Sequence, residues 1–253
     1  MNGIPCVVLA GGKAKPEMEA VIGHSNRALA VFQGKTLLCR VVEALREADP
    51  LNRLCVVGDV PEDAAYARKP DAGDFVANVL SGVTEFAEQP FVLITTSDLP
   101  FLTGEVAADF IRQSLALAEA SGADVIYPVV PVSACYSRFP GVKRTAVRLK
   151  EGEFTGGNLM LVRPSFLLPR EKHLSELYAA RKYPLRLALM LGPGIILRLL
   201  LAQTIAASFL SIPRLEASAS RLFRGTARAL LSNAPEIATD LDRPSDFVAV
   251  LSK

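Results

Sequence analysis

The chain is poor in the residues that build several common kinds of site. Its 253 residues include two histidines, His24 and His173, which are too few and too far apart for a histidine metal centre; each is read as a surface residue. The four cysteines, Cys6, Cys39, Cys55 and Cys135, are widely spaced, and no pair has metal-ligand spacing. Cys6 and Cys55 lie in apolar runs with no secretory leader ahead of them. Reduced core thiols in a cytoplasmic protein are therefore expected. A net charge of only +2 creates no demand for nucleic acid as a partner. The uncharged run Leu199–Ile212 is 14 residues long. That is short of the roughly 20 needed to span a bilayer. Internal repeats and low-complexity tracts are absent.

Half the residues are hydrophobic, ample for one sizeable α/β core. The most informative stretch is Ile4–Gly12, an apolar run that ends in two glycines. Such a run reads as a parallel strand covered on both faces. The glycines let the backbone turn sharply and lie close to a ligand. Freed amides in such a turn can face phosphate oxygens. Lys13 and Lys15 add positive charge to the loop, and Arg27 and Lys35 follow.

Strands and helices then alternate. Residues 4–10 are expected as a strand, 34–48 as an amphipathic helix and Leu54–Gly58 as a second strand. Phe75–Ala87 is expected as a helix and Phe91–Thr95 as a third strand, followed by a helix capped by Thr103 and running to about 120. Asp124–Tyr127 is a fourth strand. Ala146–Leu149 and Asn158–Val162 are expected as strands around the turn Glu151–Gly157. A helical region covers about 174–210, and a last helix starts near Pro244. This alternation implies right-handed crossovers and a parallel sheet with helices on both faces. Ligands in such sheets sit beyond the carboxyl ends of the strands. Gly11-Gly12 and Ser97-Asp98 would share that edge.

Asp98, at a strand end, is placed either to hold a hard cation or to cap the turn before Pro100. Mg²⁺ takes one or two carboxylates, with waters and substrate phosphates completing its shell. Asp240 and Asp242 alternate on an extended segment and share a face; they are either further metal contacts or surface acids before a helix. Asn78 could pair with a base edge through its donor and acceptor, or be an exposed helix residue. Ser81 and Gly82 lie beside it. Thr155-Gly156-Gly157-Asn158 permits a turn or a bulge. Lys143, Arg144 and Arg148 precede it, as an acceptor-phosphate contact or a solvated face.

Taken in order, Leu9-Ala10-Gly11-Gly12, Asn26-Arg27-Ala28-Leu29, Gly34-Lys35-Thr36-Leu37-Leu38, Thr96–Thr103, Thr155–Asn158 and Asp240–Asp246 resemble the MobA-like nucleotidyltransferase family. That family includes molybdenum-cofactor guanylyltransferase and many sugar-phosphate pyrophosphorylases. The resemblance covers about residues 1–165 and 236–250. It implies a Rossmann-like three-layer α/β sandwich with a mostly parallel sheet, of the nucleotide-diphospho-sugar transferase type. It implies one domain over 1–253, with a helical, apolar insertion at about 170–235. The implied reaction passes a nucleotidyl group from a nucleoside triphosphate, GTP or CTP foremost, to a phosphorylated small-molecule acceptor, releasing pyrophosphate. Mg²⁺ would be held by Asp98, Asp240 and Asp242. Leu9, Ala10, Gly11, Gly12 and Lys13 would hold phosphates, and Lys15 and Arg27 would neutralise charge. Asn78 and Ser81 would contact the nucleoside, and Asn158 the acceptor or metal. The family loop usually reads Gly-Gly-x-x-x-Arg-Met; the corresponding stretch here is Gly12-Lys13-Ala14-Lys15-Pro16-Glu17-Met18, without the arginine. Its usual Pro-Lys is replaced by Asn26-Arg27. A nucleotide-binding regulatory or interaction protein without turnover is the alternative these departures raise.

Residues 181–212 stand apart as an apolar stretch flanked by Arg170, Lys172, Arg181, Lys182 and Arg186. Three readings stay open for 185–212: buried helices closing over the acceptor, a homodimer surface, or peripheral contact with a membrane.

Overall fold

The computed structural model describes residues 3–14, 16–142, 144–180, 190, 193–241 and 246. β1 (Cys6–Leu9) is buried along its whole length. Its side chains alternate between two cores, as the period of a strand requires. Cys6 and Val8 face one side, where they join Val41, Leu45, Phe110 and Ile111. Those four belong to α2 (Leu37–Ala48) and α4 (Gly104–Ser121). Val7 and Leu9 face the other side, against Val76, Val79 and Val83 of α3 (Phe75–Thr84). Two apolar faces on one strand produce the unbroken hydrophobic run seen in the sequence.

β1 pairs in parallel with β4 (Leu54–Val57) and with β6 (Val92–Thr96). β5 (Ala67–Lys69) extends this parallel core beside β4. The other half of the sheet is mixed. β10 (Leu159–Val162) lies antiparallel between β6 and β7 (Val125–Pro131). β9 (Gly152–Gly156) continues along β7, with β8 (Val147–Leu149) antiparallel at its far side. β11 (Ala227–Leu231) adds a parallel strand to β7. Two short helices, α5 (Val132–Arg138) and α6 (Pro164–Leu167), follow β7 and β10 in the chain. A parallel core flanked by antiparallel strands, with helices on both faces, gives the three-layer sandwich.

Several local expectations need correction. The helix expected over 34–48 starts at Leu37, because the Thr36 side chain accepts a hydrogen bond from the Cys39 N–H and caps it. Before it runs a short antiparallel pair, β2 (Val31–Phe32) and β3 (Lys35–Thr36). The expected turn 151–157 is mostly strand β9. The Gly157 N–H donates to the Pro128 carbonyl, so Gly157-Asn158 is a break in a strand that keeps running along β7. This is the bulge alternative, not a hairpin. The helical stretch 174–210 resolves into α7 (Glu171–Ala180) and α8 (Pro193–Thr204); residues 181–189, 191 and 192 lie outside the described set. α9 (Ile212–Phe223) follows, and then β11 returns to the sheet, so the insertion at about 170–235 is not helical throughout. Most of the helix expected near Pro244 lies outside the described residues. Ala202 on α8 packs with Leu149, Phe154 and Leu210, while Leu197, Leu200 and Ile205 stay exposed. The described part of 185–212 is thus half-buried rather than fully enclosed. Among the described residues no helix is long and apolar enough to cross a membrane.

Candidate active site

β1, β4 and β6 are parallel, so their carboxyl ends meet at one edge, and the antiparallel β10 brings its amino end there too. The Ser97 N–H donates to the Leu9 carbonyl (3.1 Å), and the Thr96 N–H to the Asn158 carbonyl (3.4 Å). The loop after β1 is held from two sides. Gly58, after β4, has φ +155, and a Cβ there would overlap the Ala10 carbonyl. Asn26 Nδ2 donates to the carbonyls of Ala10 (2.9 Å) and Asp59 (3.1 Å), while its Oδ1 accepts from the Ala28 N–H (2.9 Å). One amide side chain therefore fastens the loop and caps the single helical turn Arg27–Leu29. The Arg27 N–H donates to the Gly12 carbonyl (3.0 Å), which sets the guanidinium under the loop. A Cβ on Gly12 would lie 3.0 Å from Arg27 Nη2. Glycine is what allows this approach.

Arg27 Nη2 stands 3.5 Å from Asp98 Oδ2. Asp98 is 7% exposed, and its Oδ1 is buried with no hydrogen-bond partner among the described residues. Thr96 Oγ1 is buried in the same condition. The Leu241 N–H donates to the Asp98 carbonyl (3.2 Å), which brings Asp240 alongside. Burial first, and then the charge of Asp98, push the Asp240 carboxyl above the usual carboxylate range. Arg144 secures this segment: Nη1 donates to the Ala238 carbonyl and Nη2 to Thr239 Oγ1 (2.6 Å). Its guanidinium is therefore engaged in structure rather than open to an acceptor phosphate.

Arg27, Thr96 and Asp98 border a cleft of about 510 Å³; Asp240 lies near Asp98 but is not among the residues that line it. Leu9, Gly11, Gly12, Lys13, Arg27, Asn78 and Asp98, all singled out in the sequence, line it. Ala10 is fully buried and does not line the cleft. Neither does Ser81, which sits one turn further along α3, where its carbonyl accepts from Lys69 Nζ (2.9 Å). Asn158 is also absent from the lining; its N–H donates to the Ile237 carbonyl at the same sheet edge. Lys15 and Asp242 lie outside the described residues.

Asn78 is buried and committed. Its Nδ2 donates to Asp71 Oδ1 (2.8 Å), and its Oδ1 accepts from the Ala72 N–H (2.7 Å). It shapes the loop 71–74 more than it offers itself to a base. The bond from Asn78, with a second from the Gly73 N–H, holds the Asp71 carboxyl below its usual range. Asp71, Asp74, Phe75, Thr96 and Tyr178 line the cleft and were not anticipated. Asp74 was legible as a helix cap, since its side chain accepts from the Val76 and Ala77 N–H groups. Tyr178 stacks on Phe75, with ring centroids 5.1 Å apart and planes at 15°. It arrives from α7, about a hundred residues downstream of Phe75, with no pattern in the sequence to announce it.

Among the described residues no three His, Cys, Asp or Glu side chains gather into a metal cage. The pair Asp98 and Asp240, with an orphaned buried carboxylate oxygen, nonetheless fits Mg²⁺, which takes few protein ligands and keeps waters and phosphates.

Comparison with known proteins bears on this cleft. A structure described as a hypothetical transferase from Thermus thermophilus is 34% identical, with TM-score 0.81, covering 97% of this chain and 100% of that one. The 2-C-methyl-D-erythritol 4-phosphate cytidylyltransferase from Thermus thermophilus has the same kind of fold at 15% identity (TM-score 0.53, covering 98% and 97%). So does a CMP:2-keto-3-deoxy-manno-octonic acid synthetase complexed with CTP, at 12% identity (TM-score 0.56, covering 98% of each chain). A search of curated proteins found no match. The MobA-like NTP transferase domain matches residues 6–187, most of the chain, and the protein therefore belongs to the MobA-like nucleotidyltransferase family.

Proposed function

We propose that this protein transfers a nucleotidyl group from a nucleoside triphosphate, CTP or GTP, to a phosphorylated small-molecule acceptor and releases pyrophosphate. The meeting of Arg27, Asp98 and Asp240 beside the diglycine loop carries this reading. The amides of Gly11 to Lys13 and the Lys13 ammonium would take the β- and γ-phosphates, with Lys15 as a further cation. Arg27 would lie against the α-phosphate, where its fork can grip two oxygens. Asp98 and Asp240, with Asp242, are the groups that would hold Mg²⁺. When bound, the ion offsets the charge that develops on the departing pyrophosphate. An acceptor phosphate is already ionised near neutral pH and needs no strong base. The protein's task is then alignment and charge neutralisation in a preorganised site.

Pyrophosphate release, measured across CTP, GTP, ATP and UTP with a panel of sugar and alcohol phosphates, tests this reading. Release that depends on Mg²⁺ and on one acceptor class is expected. Tight triphosphate binding with no release from any pair would favour a binding protein without turnover. That second reading draws on the loop itself, which lacks the family arginine and leads into α1 (Pro16–Ile22), with Glu17 and Glu19 in its first turn. We further read the chain as one domain. The exposed Leu197, Leu200 and Ile205 support a contact surface for a second copy or a membrane. Sedimentation and liposome binding separate those two.

A further inference from the structure

Behind the cleft lies a second cavity of about 330 Å³, between α3, α7, α9 and the sheet. Val79, Met160, Phe166, Leu174, Leu177 and Leu222 are among the side chains that line it, and all twelve lining residues are apolar or aromatic. Interiors normally close-pack and leave few voids larger than a water molecule. This space is open to solvent about as much as the cleft is, so it is an apolar groove rather than a packing defect of the interior. Its size is in the range of small-molecule sites. Phe75 and Tyr178 border both this cavity and the phosphate-binding cleft, so their stacked pair is the shared wall between a charged chamber and an apolar one.

We propose that the acceptor is amphiphilic, a phosphate monoester on an alkyl or isoprenoid chain, with its phosphate in the cleft and its hydrocarbon behind Phe75 and Tyr178. The proposal rests on the transfer reading of the cleft. An oxygen of the acceptor phosphate attacks the α-phosphorus, a new P–O bond forms, and the bond to the β-phosphate bridging oxygen breaks. Pyrophosphate leaves with that electron pair, and nothing is oxidised or reduced. A small polar acceptor would leave the apolar chamber without a role, whereas a chain of about eight carbons would fill it and shield its lining from water.

Titration calorimetry of the full chain with ethyl, butyl and octyl phosphate, below the micelle concentration and without nucleotide, tests this. Each buried methylene should tighten binding by about two- to fourfold, so octyl phosphate, six methylenes longer, should bind at least roughly sixty-fold tighter than ethyl phosphate. Leu174→Trp, with Met160→Trp as a second cavity-filling variant, should bring octyl phosphate to the ethyl phosphate value. Ethyl phosphate binding and the thermal melt should stay as in the wild type. Affinity that does not depend on chain length overturns the proposal. So does loss of octyl phosphate binding in Lys172→Glu, which would place the head group at the basic rim formed by Arg170, Lys172 and Arg224. Pyrophosphate release with short acceptors alongside flat chain-length dependence leaves the transfer reading standing and removes this one. Chain-length-dependent binding with no release from any acceptor overturns the acceptor assignment through the failure of the transfer reading.

Discussion

Arg144 gives the strongest test of how the site is assembled. It is 94 and 95 residues distant in sequence from the groups it holds, the Ala238 carbonyl and Thr239 Oγ1. Thr239 is fully buried, and its hydroxyl donates onward to the Pro235 carbonyl (2.7 Å). Arg144→Met keeps the stem of the side chain and removes both bonds. A hydrogen bond to a charged group contributes about 1.5–3 kcal/mol. Arg144 is only half-buried, so the lower end applies and the two together amount to about 3 kcal/mol. For a chain of this size that lowers Tm by about 6–12 °C. Arg144→Lys, which can keep one bond, should lose roughly half as much. The same substitution frees the segment that carries Asp240, so Mn²⁺ affinity followed by electron paramagnetic resonance should fall with it. A melt within about 2 °C of wild type, together with unchanged Mn²⁺ affinity, would refute the clamp.

Asp98→Asn should cut turnover by about 10²–10³-fold or more. Its Tm should move by less than about 4 °C, because the lost pairing with Arg27 is offset by relief of the repulsion with Asp240; a scanning melt beside a pyrophosphate assay checks both. Asp240 has a raised folded pKa, so its stabilising share is full below its ordinary carboxylate range. That share is lost as pH rises through the folded value. Asp240→Asn should accordingly gain stability over wild type as pH rises from about 3.5 toward neutral without divalent ion; a pH-independent difference between the two melts would contradict the burial argument. Asn78→Ala should let the Asp71 carboxyl climb back toward its ordinary value, seen in a carboxyl-carbon NMR titration. It should also cost about 0.5–1.5 kcal/mol through the lost hydrogen bond from the Ala72 N–H.

The centre of the parallel core was legible because its three inner strands are short apolar runs with both faces covered. Cys6–Leu9, Leu54–Val57 and Val92–Thr96 are such runs, and two of them end in the loops that carry Gly11-Gly12 and Asp98. What was missed depends on contacts that have no local period. β5 is an edge strand with two exposed positions, so Ala67-Arg68-Lys69 carries no hydrophobic signature. β11 is intermediate over most of its length and reads like the helices before it. The site residues divide the same way. Arg27, Asp98 and Asp240 follow from family motifs, but the wall made by Phe75 and Tyr178 exists only once α7 packs beside α3. Asn78 was noticed for its chemistry, but sequence does not reveal that its amide is bonded to the loop 71–74.

The central claim is that one divalent ion and one polyphosphate are gathered where the diglycine loop, Asp98 and Asp240 meet. Anomalous diffraction from crystals soaked with Mn²⁺ and CTP or GTP tests it most directly. The account predicts a single strong manganese peak about 2.0–2.2 Å from oxygens of both Asp98 and Asp240, with the triphosphate lying along Gly11 to Lys13. A peak elsewhere, or a nucleotide bound in the cleft with both carboxylates turned away from its metal, would contradict it.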